Sequence, residues 1–115
     1  MSMLADLRWF PLPLRSVVGT TLVNTGLFYR IGNPLEKEGR IVKIDNLTDQ
    51  TVFISCDGIT QWTVIPSGGF FVIDIATNQS HSNGLFVDAL TQFWAQPLVV
   101  PTQGSVYITV ISSRQ

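Results

Sequence analysis

From Arg40 onward, β-branched and aromatic residues alternate with polar ones in short runs that end at turn-forming residues. Arg40 to Leu47 and Thr51 to Cys56 read as two strands, and the short Thr48-Asp49-Gln50 connection predicts a hairpin between them. Asp57-Gly58 is a turn signal, followed by a strand from Ile59 to Ile65. Pro66-Ser67-Gly68-Gly69 turns the chain into a further strand, Phe70 to Ile75. An Asn- and Ser-rich loop over 76–84 precedes Leu85 to Asp88 and Gln92 to Gln96, and Ser105 to Ser112 closes the series. In that last run Val106, Ile108 and Val110 share one face and Tyr107, Thr109 and Ile111 the other. Both faces are apolar enough to predict a strand covered on both sides. Upstream, Thr20 to Ile31 reads as a strand with a bulge or bend near Gly26, and Asn33-Pro34 opens a polar loop.

Seven to nine short strands and no long helical pattern predict an all-β fold, an antiparallel β-sandwich of jelly-roll type, over residues 20–115. The alternation places Val42, Ile44, Val52, Ile54, Val64, Phe71, Ile73, Val106, Ile108 and Val110 on inward faces.

Residues 1–19 follow a different rule. Leu4, Leu7, Phe10, Leu12 and Leu14 are interleaved with Pro11 and Pro13, which lack amide donors and push their predecessors toward extended conformations. This predicts an extended apolar N-terminal arm, with two readings: an edge strand on its own domain, or a strap inserted into a neighbouring subunit. Left bare, the arm would expose a large apolar patch, so Leu7, Trp9, Phe10, Leu12 and Leu14 are the candidate protein-interaction residues. The strap reading expects a folded body to survive deletion of residues 1–15.

Composition narrows the functional classes. The 115 residues fit one domain, and with 45% hydrophobic and 13% charged residues much of the surface must be uncharged. A formal charge of -1 gives little drive toward nucleic acid or anionic lipid, and neither is an expected partner. No run approaches the roughly 20 apolar residues of a membrane-spanning helix, and Asp6, Arg8 and Arg15 interrupt the N-terminal apolar stretch where a signal peptide would be continuous. A soluble, unexported protein is expected.

Candidate chemistry is sparse. The single cysteine, Cys56, excludes a disulfide within the chain or a cysteine-based zinc site, and its place in an apolar run predicts a small buried hydrophobe with a protonated thiol. His81, the single histidine, lies in a polar loop whose serines lack the turn geometry of a catalytic nucleophile. Asp45, Asp49 and Asp57 flank turns, where carboxylates bond local amides. Asp74 interrupts an apolar strand and must face solvent, pair with a base such as Arg40 or Lys43, or be neutral. No phosphate-binding loop occurs, and no cofactor or metal is expected. Asn46-Leu47-Thr48 and Asn78-Gln79-Ser80 are glycosylation sequons that lack a secretion signal to give them meaning. Trp62, Trp94 and Tyr107 could stack on sugars, although tryptophans more often fill a core or a protein interface.

Three segments resemble small structural proteins of tailed bacteriophages. They are Arg40 to Gln50 with Val52 to Gly58, Ile65 to Ile75, and Gly104 to Val110, whose strand and turn rhythm includes Asn-Leu-Thr-Asp, Ser-x-Asp-Gly and Pro-x-Gly. The resemblance spans about residues 40–112 and leaves out the arm. It implies a virion component without enzymatic activity, on the capsid surface, at the neck or on the tail, assembled in the bacterial host cytoplasm. Low charge density and the apolar arm independently suit a homo-oligomer within a symmetric assembly, packed against its own copies and other virion proteins. The alternative is a carbohydrate-binding module of a receptor-binding or secreted protein, which calls for exposed aromatic residues beside polar side chains.

Overall fold

The computed structural model describes residues 10–74 and 87–112, and within them the side chains from Pro11 onward. They form nine strands: β1 (Phe10–Pro11), β2 (Arg15–Val18), β3 (Tyr29–Arg30), β4 (Ile41–Asn46), β5 (Val52–Ser55), β6 (Thr63–Ile65), β7 (Phe70–Asp74), β8 (Trp94–Pro97) and β9 (Ser105–Ser112). All pair antiparallel, in two sheets. The first has the order β1-β9-β4-β7 with β2 also on β9; the second has the order β3-β8-β5-β6. The chain is therefore an all-β sandwich.

β1 and β2 are two halves of one strand. Their register on β9 slips between Pro11↔Ile111 and Arg15↔Ile108, so that four steps along one strand oppose three on the other. Pro13, which has no N–H to offer a ladder, lies at this bulge. Leu12 still donates its N–H to Val110 O at 3.0 Å and packs against the core. The second half of the arm, from residue 10, is thus part of this molecule's own sheet. Leu12, half-buried against the core and bonded to Val110, holds it there although Pro11 and Pro13 cost the ladder two donors.

Between the sheets lie Val42, Ile44, Val52, Ile54, Val106, Ile108 and Val110, all at 0% exposure, with Leu22, Ile31, Leu35 and Phe93 closing the ends. Phe71 and Ile73 are half-buried against this core. Val64 departs from the expected pattern: it pairs with Phe53 on the outer face and is 51% exposed. The outer face of β9 is also less covered than expected, since Thr109 is exposed and Tyr107 and Ile111 are half-buried.

Two connections correct the sequence reading. Thr48-Asp49-Gln50 makes no hairpin, because β4 pairs with β7 and β9 while β5 belongs to the opposite sheet. The chain arches across the sandwich instead, around Asn46. The Asn46 side chain is fully buried, donating from Nδ2 to Gln50 O (2.8 Å) and Ile65 O (2.9 Å) and accepting at Oδ1 from Thr48 N (3.1 Å) and Thr48 Oγ1 (2.6 Å). Every polar position of the amide is used, a stronger local preference than the two-residue turn a hairpin needs. The expected strand over Thr20–Ile31 shrinks to Tyr29–Arg30. Before it, Gly19–Thr21 forms a 3-10 turn, Thr21 Oγ1 donates to Val18 O at 2.5 Å, and Gly26 N donates to Asn24 Oδ1 at 2.8 Å. Side chains that bond their own backbone here outcompete a ladder.

Candidate interaction surface

Of the five candidate interaction residues, Leu7 and Trp9 lie outside the described residues, as does the side chain of Phe10. Leu12 is half-buried in the molecule's own core, and Leu14 is exposed beside the bulge. His81, Asn78, Ile75 and Leu85 also fall outside the described residues.

An open apolar surface lies at the opposite edge, where β6 and β7 are the last strands of the two sheets and Trp62 meets Phe71 between them. Among the described residues β7 pairs with β4 and with no second strand. The Asn46 N–H bonds Gly69 O at 3.0 Å, and antiparallel pairs alternate between bonded and unbonded. The bonded pairs are therefore Ile44↔Phe71 and Val42↔Ile73, and Phe70 and Val72 turn their backbone groups away from β4. Their side chains, 63% and 41% exposed, stand beside this rim on the outer face of the first sheet; Trp62, 47% exposed, lines it from the other sheet, whereas Val64, 51% exposed, lies on that sheet's own outer face. Trp62 meets Phe71 edge-to-face at 5.3 Å between ring centroids, which fixes its ring across the gap between the sheets. No proline or lysine occurs in β6 or β7, the residues that most often blunt an edge. Lys43, from β4, reaches over the Phe70 ring at 5.0 Å and lies 3.4 Å from Asp45.

A cleft of about 390 Å³ adjoins this rim in the β5–β6 loop, lined by Cys56, Asp57, Thr60, Gln61 and Trp62. Cys56 is exposed here rather than buried, because β5 ends at Ser55 and the cysteine opens the loop. Partial burial, and then the Asp57 charge, push its thiol pKa up, which disfavours the thiolate. Asp57 organises the loop: Oδ1 accepts from Thr60 N, Ile59 N and Ser55 Oγ, each at 2.8 Å, and these bonds hold its carboxyl far below the usual carboxylate range. Gln61 Nε2 donates to Gln96 Oε1 at 2.7 Å. The other aromatic candidates stand apart: Trp94 lies under Gly58 with Arg30 5.5 Å from its ring centre, and Tyr107 is on the outer face of the other sheet.

Sequence reasoning also missed Arg15, which had counted only as a charge interrupting an apolar stretch. It is 4% exposed, and its guanidinium donates to Pro13 O (2.7 Å), Asn33 O (2.9 Å) and Pro34 O (3.2 Å) and pairs with Glu36. It fastens the bulged strand to the loop over 32–36. A signal was present in Asn33-Pro34-x-Glu36, a loop whose free carbonyls and carboxylate call for a buried cation.

Among the described residues no group of three His, Cys, Asp or Glu could hold a metal ion, and no helix is long and apolar enough to cross a membrane. Compared with models of known protein families, with curated proteins and with solved structures, the chain matches none.

Proposed function

We propose that the protein is a non-enzymatic structural subunit of a tailed-bacteriophage virion, and that its sandwich is a jelly roll. Strand order supports the second half of this reading. Taking β1 and β2 as one strand, eight positions divide into two sheets of four, β2-β9-β4-β7 and β3-β8-β5-β6, with the chain passing between sheets as paired Greek keys do. Jelly rolls serve both viral shells and lectins, so the fold alone does not choose a function. The observation that carries the choice is the rim at which, among the described residues, β7 has no second strand: Phe70, Val72 and Trp62 are exposed along it, in a chain with only 13% charged residues. Such a surface suits a subunit whose neighbours cover it. Capsid surface, neck and tail all offer neighbours of this kind.

The carbohydrate-binding alternative has a specific point in its favour, the half-exposed Trp62 at the mouth of a cleft. The polar groups beside it are committed elsewhere, Asp57 to its own loop and Gln61 to Gln96, which leaves little to grip a sugar. The deciding measurement is mass spectrometry and antibody labelling of tailed particles released by cells that encode the protein. Stoichiometric presence in the particle is expected. A protein found in those cells but absent from purified particles overturns the reading.

A further inference from the structure

We infer that the β7 rim is the acceptor for the N-terminal segment, residues 1–9, of a second copy of this chain, which adds to the first sheet as a strand next to β7. The inference rests on the assembly reading above and names the partner of the surface described there.

Three observations select this occupant. First, among the described residues β7 pairs on one side only, with the backbone groups of Phe70 and Val72 turned away from β4, their exposed side chains on one flank and Trp62 on the other. Second, the preceding segment has the pattern of a strand with two unlike faces: Ala5, Leu7 and Trp9 alternate with Asp6 and Arg8. Third, the geometry within one molecule is unfavourable. The segment joins its own sheet at Phe10, on the far side of β9 and β4 from β7. Reaching its own β7 means crossing three inter-strand steps of about 4.8 Å and then reversing. Nine residues reach about 30 Å when extended, so the crossing alone consumes about half of them. A neighbouring copy placed with its β7 rim beside Phe10 accepts the whole segment with no crossing. The resulting contact is heterologous, an arm on one side and an edge on the other, so it propagates into a ring or a row of subunits. Pairing would also seal an edge that otherwise invites aggregation.

A complementation experiment on the full-length chain tests this. The unmodified protein is expected to sediment as a multiple of its 12.7 kDa mass at tens of micromolar. Val72→Lys, with Phe70→Lys as a second variant, disables the edge; Leu7→Asp combined with Trp9→Asp disables the segment. Each variant alone, with its β-sheet circular dichroism retained, is expected to have the single-chain mass. Mixing an edge variant with the segment variant is expected to restore a two-chain species, because one still carries a working segment and the other a working edge. If the edge variants dissociate the protein but the segment variant does not, β7 pairs with β7 of another copy and the inference is wrong. If no variant changes the mass, the rim is covered by the molecule's own chain and the inference is wrong. A monomeric unmodified protein also overturns it, yet leaves the virion reading standing if particles contain the protein.

Discussion

Asn46 shows how much one side chain settles. Its amide satisfies carbonyls beside two of the connections that cross the sandwich, that of Gln50 after β4 and that of Ile65 before the Pro66–Gly69 turn. Asn46→Ala would remove the bonds to both carbonyls, of which only Gln50 O also accepts from Thr48 Oγ1, and would leave the buried Thr48 N–H without this acceptor; a loss of about 3 kcal/mol in urea unfolding is expected. The same burial means that the sequon at Asn46 has no accessible nitrogen in the folded protein. Gly104 is a second fixed point: φ is +85°, and a Cβ there would lie 2.0 Å from Leu47 O. Gly104→Ala is therefore expected to cost more than about 2 kcal/mol, seen as a fall in thermal midpoint of several degrees. Glu36 gives a pH-dependent signature. Burial works against its charge, but its own amide and the hydrogen bond and charge of Arg15 outweigh that effect and lower its pKa from 4.5. A carboxyl whose folded pKa is lowered stabilises fully above its unfolded value and loses that contribution as pH falls through the folded value. The stability gap between the unmodified protein and Glu36→Gln, under about 1 kcal/mol for a half-exposed side chain, is expected to be constant at pH 6–8 and to close below pH 4.5.

Elements were legible where the inward positions of a strand follow the alternation from end to end. β4, β5, β7 and β9 begin and end within a residue or two of the expected runs, because their buried positions repeat every second residue. Which sheet a strand joins was not legible. The connection after β4 is short enough for a hairpin, and only the side-chain bonds of Asn46 and Thr48 turn it into an arch. The arm was half legible: its extended form follows from the prolines, but its integration depends on Leu12 and Arg15 finding sites more than 80 and about 20 residues away in sequence. Deletion of residues 1–15 is consequently expected to unfold the body or lower its melting temperature by more than about 10 °C, the opposite of the outcome expected from the strap reading. Deletion of residues 1–9 is expected to leave it folded. Circular dichroism melting of the two truncations separates the cases. The candidate surface was the least legible part: the alternation placed Val64 inward although it faces out, and only the strand order shows that, among the described residues, β7 has no second neighbour.

Across the whole molecule, nearly all ladders join distant parts of the chain; β5 with β6 is the local exception. Folding must close long loops before the contacts that reward them form. Stopped-flow refolding followed by tryptophan fluorescence is expected to be slow for the size, in the range of milliseconds to seconds, rather than in microseconds. Exposed apolar residues are also spread beyond the β7 rim, with Leu47, Leu98, Val99 and Val100 at the ends of the sandwich. A partner at one rim would leave these available to others.

The central place of β9 has a bearing on synthesis. β1 and β2 pair with β9, and β4 needs it to complete its second side, yet β9 is made some ninety residues after β2. On the ribosome, a nascent chain that has emerged through β8 carries the Arg15–Val18 backbone and one flank of Ile41–Asn46 without the strand they pair with. The first sheet must then close late, around Ser105–Ser112, and until it does the free flank of Ile41–Asn46 is exposed to every neighbouring nascent chain on the same polysome.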